Sequence, residues 1–447
     1  MQSTIRRVCI SRILRIGSGQ ASLSLQVPMC NWIQRSFSEG PLVPSEQVRE
    51  ESGVKAPSTL HVVGAPFSFG QPLDGVDLGP KLIRERGLRG AVTELGWRFV
   101  DKGDIKVYSP ARGDAAGAGG RNSTSVGRTS HSVAKAVRDS AKDGAFVLTL
   151  GGDHSIGMGT LAGVLAARPD AGVIWVDAHA DINTPQASPS GNMHGMPVAF
   201  AMRLADPNSM PGVEWMAEGE ESKEWDKEEW GAVMRESAVR AAEAAEARGD
   251  AKAAAVAHKA AASSSRVPDP LLPMITKLGK WPALHPSRIV YIGLNDVDDH
   301  ERHVIPHLGI RAYTMKDVDR LGIGEVMKRA VGHLTSDGAT PRPLHLSFDI
   351  DACDPSVAPS TGTRVEGGLS YREAHYVCES LFETGLLGSM DMVEVNPQLA
   401  ESEEEGERTA DAAVELIGSA LGRNILPSMS DVHLELPPLP VMEEGRS

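Results

Sequence analysis

Phe146-Val147-Leu148-Thr149-Leu150 runs into Gly151-Gly152-Asp153-His154-Ser155, and this stretch decides how the chain folds. A short, mostly apolar run suits a strand buried on both faces, as in a parallel sheet covered by helices. The glycines break it, and an acid and an imidazole follow at once. The same pattern returns downstream. The run 173–176 ends in Asp177-Ala178-His179-Ala180-Asp181, the run 344–348 in Asp349-Ile350-Asp351, and the run 390–395 carries Glu394 before Asn396-Pro397. Further apolar runs lie at 60–63 and 289–292. Helical patterns fall between them at 81–88, 132–142, 158–167, 324–334, 371–384 and 409–421. Alternation of this kind predicts an α/β protein: one three-layer α/β/α domain around a mainly parallel central sheet. In such sheets ligands bind beyond the carboxyl ends of the strands, which is where these acids and histidines gather.

Composition narrows the function. The 447 residues are 41% hydrophobic and 23% charged, with a formal net charge of −14. An acidic chain argues against nucleic acid as main partner, whose phosphates need a basic face, and is compatible with a cationic substrate. No apolar stretch is long enough to predict a membrane span. Cys9, Cys30, Cys353 and Cys378 show no CxxC spacing, so neither a disulfide framework nor a thiolate zinc site is expected.

Segments 1–38, 39–58, 59–427 and 428–447 read as targeting peptide, linker, domain and tail. The first has no acid but carries Arg6, Arg7, Arg12, Arg15 and Arg35 among serines, the composition of a mitochondrial transit peptide. A matrix location is expected, with plastid or cytoplasm as alternatives. Within the domain, an acidic run and an Ala-rich helical stretch mark an insertion at roughly 217–280, too poor in large apolar residues to form its own core.

Alternate residues of extended chain point the same way, so Asp177, His179 and Asp181 can converge, as can Asp349 and Asp351. Carboxylates that close cannot all stay ionised without a cation among them. Oxygen-rich ligation with imidazoles and no thiolate suits Mn, Fe, Co or Zn better than Ca. Two such ions sharing carboxylates can hold hydroxide at neutral pH, which makes hydrolysis the natural reaction class.

Gly151-Gly152-Asp153-His154-Ser155, Asp177-Ala178-His179-Ala180-Asp181 and Ser347-Phe348-Asp349-Ile350-Asp351 with Asp354-Pro355 resemble the signature blocks of the ureohydrolases, a family that includes arginase, agmatinase and formiminoglutamase. Agreement runs from about residue 60 to 426 outside the insertion. The resemblance implies two Mn(II) ions per subunit, one held by His154, Asp177, Asp181 and Asp349, the other by Asp177, His179, Asp349 and Asp351, with Asp177 and Asp349 bridging. Glu394 adds negative charge and would hold a guanidinium, with Thr363 nearby.

The segment from Asn183 to Pro197 is similar to the arginase branch, where Asn183, Ser190 and Asn192 would bind an α-carboxylate and Asp298 and Glu301 an α-ammonium. Asp181 would pass a proton to the leaving amine and His194 would shuttle protons. The implied reaction is hydrolysis of L-arginine to L-ornithine and urea. Another ureohydrolase, such as an agmatinase or guanidinobutyrase, and a non-enzymatic metal-binding homologue are the alternatives. Arg372 and Glu373 match a segment used in trimer contacts, so a homotrimer or hexamer is expected. Two positions depart from the pattern: Asn295 stands where many relatives carry Arg, and Ala352-Cys353 replaces a commoner Gly-Leu beside the metals, leaving Cys353 either oxidation-sensitive or simply packed.

Overall fold

The computed structural model describes residues 59–111, 120–218, 280–335 and 342–424. The expected transit peptide, linker and tail, and the insertion between 219 and 279, lie outside the described residues.

The strands β1 (Thr59–Ala65), β2 (Arg98–Asp104), β3 (Phe146–Gly151), β4 (Gly172–Val176), β5 (Ile289–Leu294), β6 (Arg311–Thr314), β7 (Leu344–Asp349) and β8 (Leu387–Val393) form one sheet. Their order is β2-β1-β3-β8-β7-β4-β5-β6, and every neighbouring pair is parallel. The helices are α1 (Gly79–Glu85), α2 (Leu88–Thr93), α3 (Ser123–Lys142), α4 (Gly157–Ala167), α5 (Pro197–Ala201), α6 (Asp299–His307), α7 (Met315–Leu321), α8 (Ile323–Thr335), α9 (Tyr371–Glu383) and α10 (Glu403–Ala420).

Two apolar cores sandwich the sheet. One joins Leu148, Leu150, Ile174 and Val176 to Ile83, Val318, Val326, Val377 and Ile417 from α1, α7, α8, α9 and α10. The other joins Val147, Val173 and Trp175 to Val133, Leu161 and Phe200 from α3, α4 and α5. Alternate strand residues thus feed opposite layers, as a pleated backbone requires.

The polar edges of the sheet differ from the sequence reading. β2 is mostly exposed and β6 has four residues, so neither carries an apolar run. Both are outermost strands, where water covers one side. Helices α6 and α7 were hidden for a related reason. Each is short, and each is set by a capping box, Asp298 with Glu301 and Thr314 with Asp317, rather than by apolar periodicity. Strand β8 ends at Val393, earlier than expected, because Glu394 takes a left-handed φ of 62°.

The flanks of the insertion meet. Lys280 N donates to the Glu218 carbonyl at 3.0 Å, and its ammonium lies 2.7 Å from the Glu218 carboxylate. Buried Arg203 donates to the carbonyls of Phe200, Met216 and Trp281, tying both flanks to the end of α5.

β3, β8, β7 and β4 are the four adjacent central strands, and they carry the four acid-bearing ends. At the end of β3, Gly152 N donates to the Ala65 carbonyl, and a Cβ there would lie 1.8 Å from the Phe67 carbonyl oxygen. Gly152→Ala is therefore expected to lower stability by about 1–3 kcal/mol, as overpacking does. A thermal melt showing a midpoint several degrees lower checks this; an unchanged midpoint contradicts the close approach.

Candidate metal centre

At the end of β3, Asp153 caps the following 3-10 turn: its Oδ1 accepts from Ser155 N at 3.0 Å and its Oδ2 from Gly70 N at 2.8 Å. The turn swings His154 inward, where its ring stacks on Trp175 with centroids 4.2 Å apart. Its Nδ1 lies 3.0 Å from Asp177 Oδ2, 3.1 Å from Asp181 Oδ2 and 3.1 Å from Asp349 Oδ2. At the end of β4, Asp177 accepts from His179 N at 2.7 Å and from Trp175 Nε1 at 3.0 Å, while Asp181 sits at φ 51°. At the end of β7, Asp349 Oδ1 accepts from Asp351 N at 2.9 Å. His179 Nδ1 faces Asp177 at 3.4 Å and Asp351 at 3.2 Å.

Two ligand triads result: His154, Asp177 and Asp349, and next to them Asp177, His179 and Asp351, with candidate donor atoms within 4.8 Å of one another in each. Asp177 belongs to both; Asp349 groups with the first. Buried His154 Nδ1 has no aligned hydrogen bond although carboxylate oxygens surround it, so the donor set fits a cation at that point.

Electrostatics agree. Burial first, then the charges of Asp351 and Asp177, push Asp349 well above the carboxylate range, and burial with Asp177 lifts Asp181 to about 6. Burial opposes charge on His154 and His179, but the surrounding aspartates outweigh it and raise both imidazoles. Burial alone would raise Asp177 too; the two histidines instead hold it below its ordinary value. Divalent ions replace the protons these groups otherwise retain. Metal affinity should therefore weaken as the pH is lowered, about tenfold per pH unit for each proton displaced. Titrating the metal-depleted chain with Mn(II) at pH 8 and pH 6 checks this; equal affinities would contradict it.

Glu394 is buried beside the triads. Its Oε1 accepts from His154 N at 2.8 Å and lies 3.3 Å from His194 Nδ1. Burial works against charge on His194, but the hydrogen bond and charge of Glu394 raise its pKa to about 9. His194 N donates to the Gly70 carbonyl at 3.1 Å, so Gly70 links Asp153 to His194. Asp181 and Glu394, both non-glycine residues at positive φ, place local backbone strain at this site.

A cavity of about 120 Å³ opens over the centre. Its lining includes His179, Asp181, Asp349, Asp351 and Thr363 as well as Asn183, Ser190, Asn192, His194, Asp298 and Glu301. His154, Asp177 and Glu394 sit beneath it, fully or nearly buried. A larger open depression of about 480 Å³ at Arg128, His131 and Trp215 shares no residue with it.

Thr363 lines the cavity, its hydroxyl donates to Asp351 Oδ2 at 2.7 Å, and a Cβ on neighbouring Gly362 would lie 3.9 Å from Glu394 Oε2, so its loop braces a ligand beside Glu394. Glu301 lines the cavity, yet its oxygens accept from Ile182 N and Asp298 N, both at 3.0 Å. Burial, then Asp298, lifts its pKa to about 8. Asn183 donates its amide to Asp298 at 2.8 Å, while its Oδ1 is buried without a partner. Ser190 Oγ accepts from Asn192 N at 3.1 Å. Cys353 is buried, and burial with neighbouring Asp351 and Asp349 disfavours its thiolate, which makes it the packed, inert alternative. Asn295 donates to the Glu366 carbonyl at 2.9 Å, bridging two loops. Glu373 closes a capping box with Ser370 at the start of α9.

Ser188 and Asp296 also line the cavity and were not singled out from sequence. Asp296 lies two residues before Asp298, a spacing that could have flagged it. Asp153 stood in view beside His154 without a role.

A parallel α/β sheet whose four central strands end in a shared acid–imidazole cluster defines a cation-binding site at a ligand cleft. The chain belongs to the arginase family: the family model described as Arginase family matches residues 58–422. It is 38% identical over 371 residues to mitochondrial arginase-2 of Homo sapiens, covering 83% of this chain and 86% of that one. It is 39% identical over 367 residues to the hepatic arginase of Aquarana catesbeiana, covering 82% and 93%. Among solved structures, the native arginase of Bacillus caldovelox superposes with a TM-score of 0.62 at 33% identity, covering 82% of this chain and 99% of that one.

Proposed function

We propose that this chain hydrolyses L-arginine to L-ornithine and urea, using two Mn(II) ions per subunit. The observation that carries the reading is the pair of ligand triads sharing Asp177 at a cavity also lined by Asn183, Ser190, Asn192, Asp298 and Glu301. The names of its relatives, arginases at 38–39% identity, support the substrate.

His154, Asp177, Asp181 and Asp349 would hold one ion, and Asp177, His179, Asp349 and Asp351 the other. When bound, such ions supply water already deprotonated at neutral pH. The protein does the rest. Glu394 and the surrounding carboxylates make the cleft anionic and favour a guanidinium over a neutral group. Asn183, Ser190 and Asn192 face the amino-acid carboxylate, and Asp298 and Glu301 its ammonium, fixing which end enters. Water's oxygen joins the guanidinium carbon, the bond from that carbon to the ornithine nitrogen breaks, and Asp181 holds the proton that leaves with the amine. His194, on the rim and paired with Glu394, returns protons to solvent.

The test is urea release from L-arginine by the Mn(II)-loaded chain. Steady release supports the reading; none, with both ions bound, overturns it.

The acid-free, arginine-rich stretch 1–38 and the mitochondrial designation of the human relative support a matrix location. Arg372, exposed on α9, and half-buried Glu373 beside it support homotrimer assembly, or a hexamer of two trimers. Among the described residues no helix is long and apolar enough to cross a membrane.

A further inference from the structure

Below the metal centre, on the sheet face covered by α4, lies a polar ladder inside an otherwise apolar core. On β7, His345, Ser347 and Asp349 are alternate residues on one face. Their register partners on β8 are Ser389, Asp391 and Val393. His345, Ser347, Ser389, Asp391 and Thr160 of α4 are each at most 1% exposed. A carboxylate buried this deeply is costly unless donors surround it.

Asp391 Oδ2 gathers them. Thr160 Oγ1 donates to it at 2.6 Å, Ser347 Oγ donates to it at 3.4 Å, and His345 Nε2 lies 3.2 Å away, with Nδ1 of that ring 3.0 Å from Ser389 Oγ. Ser347 Oγ is also 2.9 Å from His154 Nε2. The direction of the chain follows from its ends. Asp391 only accepts when ionised, so Ser347 spends its proton there and its lone pair is left for His154 Nε2–H. That fixes the His154 ring with its other nitrogen, Nδ1, facing Asp177, Asp181 and Asp349.

We infer that Asp391 is a positioning residue for the metal centre, acting through Ser347 to hold His154 in the tautomer and orientation that present Nδ1 to a cation. The inference rests on the metal reading proposed above. Groups that orient a metal-binding histidine from behind typically matter by 10–100-fold in metal affinity. Thr160 donates to the same oxygen, while His345 Nε2 lies 3.2 Å from it without an aligned hydrogen bond.

The test measures Mn(II) dissociation constants on the full-length, metal-depleted chain, reading free Mn(II) by electron paramagnetic resonance. Asp391→Asn keeps the shape and removes the charge; it should weaken Mn(II) binding about tenfold. Ser347→Ala breaks the chain while leaving Asp391 with Thr160 and His345, so it carries the test even where the first variant folds poorly, and it should weaken binding by about 10–100-fold. The double variant should lose no more than the worse single one, because both act on one path. A merely structural role would lower the thermal midpoint and leave the dissociation constants alone. Wild-type affinity in either single variant, or losses that multiply in the double, would overturn the inference. A wild-type chain that binds no Mn(II) would overturn the metal reading itself, and a wild-type chain binding two ions beside an equally tight Asp391→Asn would overturn this inference alone.

Discussion

Asp349→Asn is expected to lower urea release from L-arginine by more than about 10³-fold, equivalent to about 4 kcal/mol of lost transition-state stabilisation. The side chain is buried, and its Oδ2 is 3.1 Å from the ligand nitrogen of His154. Its Oδ1 accepts from Asp351 N, which holds the second triad in place. An asparagine fits the same space but brings one oxygen and no charge, so it cannot replace a carboxylate that serves a cation. Metal content should drop with activity. The metal-free variant should not be less stable than metal-free wild type, because burial and two neighbouring carboxylates already disfavour the ionised aspartate. Thermal melts beside urea assays separate the two effects. Full activity in the variant would refute the ligand assignment.

Agmatine, which lacks the α-carboxylate of arginine, is expected to be a poorer substrate by about 10³–10⁵ in kcat/KM. A site built to hydrogen-bond a group penalises the analogue that lacks it, since the site's own polar atoms are then left unpaired. Asn183, Ser190 and Asn192 line the cavity together with Asp298 and Glu301. Asn183 and Asp298 are already joined by a 2.8 Å hydrogen bond, so the groups meant for the carboxylate and the ammonium are prearranged as one unit. Replacing Asn192 with alanine should narrow the difference between the two substrates, mainly by slowing arginine. Equal or faster turnover of agmatine would instead favour an agmatinase or guanidinobutyrase activity for the same metal centre.

The central strands could be read from sequence because each is buried on both faces, which leaves a continuous apolar run at β1, β3, β4, β5 and β7. β2 and β6 could not, since an edge strand keeps its polar residues and loses the signal. The same holds for α6 and α7, whose limits are set by side-chain caps. The ligands were visible because strand periodicity alone brings Asp177, His179 and Asp181, or Asp349 and Asp351, to one side. The bond from Thr363 to Asp351 could not be read, because Thr363 lies on an irregular loop where no period says which carboxylate a side chain reaches. Asp391 escaped notice for a different reason: its meaning lies in register. It stands opposite Ser347 on the neighbouring strand, and Ser347 reaches a histidine 193 residues earlier in the chain.

The most direct measurement is the metal count of the intact chain, stripped with chelator, reloaded with Mn(II), desalted and read by elemental analysis. Two ions per chain in the wild type, and fewer in Asp349→Asn, are expected. A wild-type chain that retains one ion or none would contradict the paired centre on which the proposed chemistry depends.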